Sequence, residues 1–243
     1  MNQKILLITG WGGGTKLLHP LKIALQDKGH HVELINIFNV FDGIELQRQT
    51  ENAKDFDVII GWSLGGQLAT LLVNQIEQKY QQQKVLITLA SNPCFVANET
   101  WQTAMPQDTF QNFKQSFEQD ISATLFKFGF MVCQGIASTK QDLKILQSLI
   151  QPQKIELLKQ GLALLEQLNI AEIQENYTGQ QYHLFAEQDA LVDSKVVQNI
   201  QNFTAKFLAV ELIQGSHGFP VFQVELITDK ICQYLHKNNQ TSG

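Results

Sequence analysis

A serine with a glycine two positions away on either side, Gly61-Trp62-Ser63-Leu64-Gly65, has the residue types and spacing of a strand-to-helix nucleophile turn. Such a turn lifts the serine hydroxyl clear of the backbone, and side chains at the two flanking positions would collide there, which glycine avoids. The chemistry implied is acyl transfer. A serine hydroxyl is a weak nucleophile near neutral pH, so it needs a base in hydrogen-bond reach and an acid to orient that base. For a strand-turn-helix nucleophile the chain order is serine, then aspartate or glutamate, then histidine. His217, in Gln214-Gly215-Ser216-His217-Gly218-Phe219-Pro220, follows the last predicted strand and is the candidate base. His19, His30 and His31 precede the serine, His183 falls inside a predicted strand, and His236 lies near the end of the chain. The acid is sought in Ala186-Glu187-Gln188-Asp189-Ala190-Leu191-Val192-Asp193. Asp189 is the choice, with Asp193 and then Glu187 behind it, because Asp193 suits the cap of a helix starting near Ser194.

The oxyanion of a tetrahedral intermediate needs two N–H donors. Leu64, directly after the nucleophile, supplies one, and the glycine loop Gly10-Trp11-Gly12-Gly13-Gly14 supplies the other from Trp11. A glycine loop after a first strand also suggests a nucleotide-binding turn. Neither phosphate-binding pattern can be laid on residues 10–18, because Thr15 or Leu17 falls where the last glycine is required.

These residues must be held by regular elements. Short apolar runs at 5–9, 31–35, 58–61 and 85–89 alternate with helical patterns, which predicts a parallel sheet with crossover helices. A helix over 16–28 should end at Gly29 in a left-handed cap, with Pro20 in its first turns. Residues 63–80 carry helical periodicity through Leu64, Leu68, Leu71, Leu72 and Ile76. Strand signals vanish from 92 to 175 and resume at 181–186 and 207–212, before a last helix over 221–236. The expectation is an α/β core of residues 1–91 and 176–243, with a helical lid insertion at 92–175.

At 243 residues, 44% hydrophobic and 17% charged, the chain is ordinary globular material. Its net charge of −5 argues against a general grip on nucleic acid. Three widely spaced cysteines without a C-x-x-C pair fit a reducing compartment. No run approaches the length of a membrane helix, so a soluble cytoplasmic protein is expected. The polar residues 237–243 are expected to fray.

With these residues in place, the chain resembles the α/β-hydrolase superfamily, and more closely the pimeloyl-acyl-carrier-protein methyl ester carboxylesterases of biotin synthesis. The resemblance rests on four segments spread over most of the chain: the Gly10-Trp11-Gly12 loop; Gly61-Trp62-Ser63-Leu64-Gly65-Gly66; Ala90-Ser91-Asn92-Pro93-Cys94-Phe95 at the start of the insertion; and Asp189-Ala190-Leu191-Val192 followed by Ser216-His217. It implies hydrolysis of a methyl ester at the end of a pimeloyl chain carried on acyl carrier protein. It also implies that Trp11, Trp62 and Phe128 line an acyl pocket, and that Lys127, Lys140 and Lys144 meet the acidic carrier. Lys140 and Lys144, four apart on a predicted helix, share a face. Two departures stand out. Thr9 replaces a histidine before the oxyanion glycine, a change that should loosen the loop while leaving its amides in place, and Phe38-Asn39-Val40-Phe41-Asp42-Gly43 replaces the usual Pro-Gly-rich stretch.

The sequence therefore predicts an α/β-hydrolase fold with a mostly parallel sheet of about six strands and a helical lid, acting as a serine carboxylesterase. The chemistry requires neither metal nor organic cofactor. A broad-specificity short-chain esterase or thioesterase, and a non-catalytic hydrolase-like binding protein, are the rival readings.

Overall fold

The computed structural model describes residues 2–240. Six strands, β1 (Lys4–Ile8), β2 (His31–Ile35), β3 (Val58–Trp62), β4 (Val85–Leu89), β5 (Gln181–Ala186) and β6 (Leu208–Ile213), form one sheet in the order β2-β1-β3-β4-β5-β6. Every pairing is parallel. A parallel sheet is covered on both faces, and β3 accordingly reads Val-Ile-Ile-Gly-Trp with all five residues buried. The outer strands β2 and β6 are partly exposed, as edge positions require. The first strand lies one residue earlier than expected from sequence, Lys4–Ile8, and the last one residue later, Leu208–Ile213.

Among the described residues, eleven helices connect and cover the strands: α1 (His19–Asp27), α2 (Gly43–Ala53), α3 (Leu64–Tyr80), α4 (Gln107–Gln119), α5 (Ile121–Cys133), α6 (Thr139–Leu149), α7 (Ile155–Gln167), α8 (Ala171–Asn176), α9 (Val196–Gln201), α10 (Phe219–Phe222) and α11 (Val224–Gln240). The helix expected over 16–28 is divided into a 3-10 turn, Thr15–Leu18, and α1, which has Pro20 in its first turn. Gly29 follows α1 with φ of 91°, the left-handed conformation expected of it. The altered stretch after β2 ends in a helix start: the Asp42 carboxylate accepts hydrogen bonds from the Ile44 and Glu45 amides and caps α2. The last helical region is two helices, α10 and α11, with Gln223 between them. Lys237 to Gln240 continue α11, which corrects the expected fraying up to that point; 241–243 lie outside the described residues.

Residues between β4 and β5 contain α4 to α8 and two isolated bridges, Cys94 with Asn169 and Val96 with Met105. This insertion is joined to the core by a specific anchor. Trp11, in the loop after β1, is 3% exposed; its Nε1 donates to the Leu158 carbonyl of α7 at 2.8 Å, and its ring meets Phe128 of α5 edge-on at 4.8 Å. Full burial of a large aromatic side chain contributes about 2–3 kcal/mol. Gly161 makes the approach possible, since a Cβ there would lie 2.3 Å from the Trp11 ring. Among the described residues no helix is long and apolar enough to cross a membrane.

Candidate active site

All six strands point the same way, so the loops after β1, β3, β5 and β6 gather at one edge of the sheet, where ligands bind in open parallel sheets. Those four loops carry Trp11, Ser63, Asp189 and His217.

Ser63 occupies the turn between β3 and α3 with φ of 55° and ψ of −124°, a conformation that costs a non-glycine residue about 1–3 kcal/mol. The surroundings hold it there. Its N–H donates to the Leu89 carbonyl at 2.9 Å, and its carbonyl accepts from the Gly66 N–H at 2.8 Å. The two flanking glycines are sterically compelled: a Cβ on Gly61 would lie 2.0 Å from the Gly65 carbonyl oxygen, and one on Gly65 would lie 2.4 Å from the carbonyl oxygens of Ile8 and Thr9. Gly10 brings the glycine loop alongside, its absent Cβ only 3.2 Å from that of Ser63.

Asp189 and His217 meet. The Nδ1 of His217 lies 2.8 Å from Oδ2 of Asp189, and both side chains are 1% exposed. The other oxygen, Oδ1, accepts from the amides of Leu191 at 2.8 Å and Val192 at 2.9 Å. With three acceptor contacts the carboxylate is fixed in orientation. Nδ1 is then committed to the aspartate, and Nε2 of His217 is buried without a protein partner among the described residues. An imidazole held in this way offers Nε2 for proton exchange with a neighbouring group. Trp62 connects this pair to the serine turn, its Nε1 donating to the His217 carbonyl at 3.0 Å.

The other acids behave as local structure. Asp193 accepts from the Lys195 amide at 2.9 Å in the turn leading to α9, which begins at Val196, two residues later than the sequence suggested. Glu187 is exposed and bonded by the Gln214 amide. His183 is fully buried, 2.7 Å from the Thr88 hydroxyl, and burial pushes its imidazole down to about 3.

Leu64 is the first residue of α3, where backbone N–H groups have no partner within the helix. Trp11 lies in the facing loop, so the two amides proposed as donors flank the serine turn. Thr9 has a partner within that loop. Its hydroxyl donates to the Gly14 carbonyl at 3.2 Å and closes the loop on itself. Gln151, between α6 and α7, holds the loop from outside, its N–H donating to the Gly13 carbonyl at 3.0 Å.

Phe128 and Trp62 line a small apolar cavity of about 20 Å³, together with Trp11 and Leu125. A second cavity of about 10 Å³ runs from Trp11 and Phe128 to Leu191, next to the Asp189 turn. Lys127 on α5 and Lys140 and Lys144 on α6 are all exposed. One contributor had gone unrecognised in the sequence: Gln67, 1% exposed, whose Nε2 donates to the Asn92 carbonyl at 2.9 Å and ties the first turn of α3 to the start of the insertion. A glutamine set between Gly66 and Leu68 on an otherwise apolar helix face was the available signal.

The fold recurs in solved structures. A hydrolase from Oleispira antarctica superposes with a TM-score of 0.79 over 97% of this chain and 92% of its own, at 13% identity. An esterase from Exiguobacterium antarcticum gives 0.75 over the same shares, also at 13% identity. The chain has the α/β-hydrolase fold. Among curated proteins, this chain is 28% identical over 229 residues to the pimeloyl-[acyl-carrier protein] methyl ester esterase of Shewanella woodyi, covering 89% of this chain and 87% of that protein. It is 28% identical over 210 residues to the protein of the same name from Salmonella typhimurium, covering 81% and 79%. No family model matches the chain.

Proposed function

We propose that this α/β-hydrolase is a serine carboxylesterase that removes the methyl ester of a pimeloyl chain carried on acyl carrier protein. The buried Asp189–His217 pair beside a strained Ser63 turn carries the reading. Ser63 Oγ attacks the ester carbonyl carbon while Nε2 of His217 takes its proton, and Asp189 holds the imidazole tautomer and stabilises the imidazolium. The N–H groups of Leu64 and Trp11 receive the oxyanion. The C–O bond to the methoxy group then breaks, and His217 returns the proton to the leaving methanol. Water attacks the acyl-enzyme, gives its proton to His217 and releases the free acid, and the proton returns to Ser63.

The substrate assignment draws support from the named relatives and from local charge. Residues 121–149 contain three lysines, Lys127, Lys140 and Lys144, against one acid, Asp142, which is 6% exposed and bonded by the Ser138 hydroxyl. This stretch is locally cationic and suits an acidic carrier, within a segment, 92–175, that as a whole carries six lysines and nine acids. In this reading residues 92–175 act as the lid, Trp11, Trp62 and Phe128 line the acyl site, and the protein works in the cytoplasm, in keeping with its free cysteines.

The narrowness of the two apolar cavities favours a second reading, a short-chain esterase. Turnover of the carrier-borne pimeloyl methyl ester measured beside short p-nitrophenyl esters decides between them. Preference for the small esters, with no gain from the carrier, would sink the first reading. Restoration of growth in a biotin-requiring strain that lacks its own carboxylesterase, by the wild type and not by Ser63→Ala, would support it.

A further inference from the structure

Beyond their last paired residues, Ala186 and Ile213, β5 and β6 continue as the two loops that carry Asp189 and His217. The Glu187 N–H still donates to the Ile213 carbonyl at 2.9 Å, and the next contact between the loops is made twice over by one residue. The Gln188 N–H donates to the Gly215 carbonyl at 3.0 Å, and the Gln188 side-chain Oε1 accepts from the Gly215 N–H at 2.9 Å. Both polar groups of the buried Gly215 are thereby satisfied by the residue immediately before Asp189. Gly215 itself lies two residues before His217. The rest of the Gln188 amide faces outward, its Nε2 donating to the exposed Gln214 side chain at 2.9 Å.

The insertion closes on the same two loops. A Cβ on Gly135, just after α5, would lie 2.3 Å from the Gln188 carbonyl oxygen, so backbone packs directly on backbone there. The Val132 carbonyl, near the end of α5, accepts from the Gly218 N–H at 2.9 Å. The base loop is therefore held at 215 and at 218, on either side of His217.

We infer that Gln188 is a positioning residue for the Asp189–His217 pair, acting through the grip of its amide on Gly215. The Leu191 and Val192 amides orient the Asp189 carboxylate within its own loop, but they do not set where that loop stands relative to His217. The two bonds from Gln188 to Gly215 do, because they lie one residue from the aspartate and two from the histidine, and successive Cα atoms are only about 3.8 Å apart. Without the acceptor the buried Gly215 N–H loses its partner, and the loop shifts to find another. This inference rests on the Ser63, His217 and Asp189 mechanism proposed above and not on the identity of the ester.

The test uses the full chain and p-nitrophenyl butyrate. Gln188→Met and Gln188→Ala both remove the acceptor, the first keeping the length of the side chain; Gln188→Glu keeps an acceptor for Gly215; Gln214→Ala removes only the exposed partner. Far-ultraviolet circular dichroism checks that each is folded. In the Met and Ala variants kcat should fall by about tenfold or more with KM within about twofold, as expected when reacting groups are displaced and substrate binding is not. The low-field proton resonance of a His217 Nδ1–H held by a carboxylate should weaken with it. Gln188→Glu should recover kcat to within about threefold, and Gln214→Ala should match the wild type. Wild-type kcat and an unaltered resonance in the Met and Ala variants overturn the role of Gln188 and leave the serine mechanism standing. A loss in Gln188→Glu or Gln214→Ala as large as in Gln188→Met also overturns it, since the acceptor on Gly215 is then not what acts. A wild type no more active than Ser63→Ala overturns the mechanism and this inference together.

Discussion

Trp62 and His217 are joined by a buried hydrogen bond of 3.0 Å from the indole Nε1 to the histidine carbonyl. The residue before Ser63 therefore holds the backbone of His217, and the tilted ring contact between Trp62 and His217, at 5.8 Å, adds to the restraint. Trp62→Phe keeps the ring and removes the donor, leaving a buried carbonyl without its partner at a cost of about 1–3 kcal/mol. Thermal melting should show a lower Tm, and steady-state kinetics should show kcat reduced with KM little changed. An unchanged kcat would remove Trp62 from the positioning of His217.

Ser63→Ala should abolish ester hydrolysis, by about 10⁴-fold or more if the serine is the nucleophile. A serine-directed phosphonate should label Ser63 in the wild type, which mass spectrometry of the modified peptide reads directly. Hydrolysis that survives in the variant, or a phosphonate that reacts elsewhere, would favour a hydrolase-like binding protein.

Asp189→Asn preserves an oxygen for the Leu191 and Val192 amides but can place an amide N–H against Nδ1 of His217, which would favour the wrong tautomer. A loss in kcat of about 10⁴-fold is expected. Asp193→Asn removes only a turn-capping charge at an exposed position, and its activity should match the wild type with stability within about 0.5 kcal/mol. Measuring both variants separates the two acids that sequence left in competition.

His183 gives the fold an acid sensitivity of its own. Burial holds its imidazole neutral down to about 3, whereas in the unfolded chain it takes up a proton near its ordinary value of 6.5. Below that value the unfolded state binds more protons than the native state, so stability falls as pH drops from about 6.5 toward 3, and this group has no effect above that window. The slope approaches about 1.4 kcal/mol per pH unit, or about 1.5 kcal/mol between pH 6.5 and 5. Urea titrations of wild type and His183→Asn across that range should give a flatter pH dependence in the variant.

Gly161→Ala would push a methyl group against the Trp11 ring, which lies 2.3 Å from the added Cβ. The substitution should disturb the anchor between glycine loop and insertion, destabilising by about 1–3 kcal/mol through overpacking. Tryptophan fluorescence should shift, and activity should fall because the Trp11 backbone belongs to the loop proposed to receive the oxyanion.

Much of the site was legible in the chain because its signals are local. The tight turn at Ser63 requires small neighbours within two residues. The strands around it are short apolar runs, and Ser63, Asp189 and His217 follow β3, β5 and β6 in chain order. The choice between Asp189 and Asp193 was harder, since both lie in one loop and either could cap a helix.

By itself, the sequence determined the alternation of strand and helix, the glycine-flanked serine and the long helical insertion, because periodicity and backbone sterics act between near neighbours. Tertiary structure decided what depends on residues far apart. It brought the Asp189 carboxylate to His217 across 28 positions, it set the Thr9 hydroxyl on the Gly14 carbonyl within the glycine loop, and it set Trp11 against α7 through a glycine 150 residues away. It also set the Gln188 amide on Gly215, a contact that exists only once β5 and β6 lie side by side.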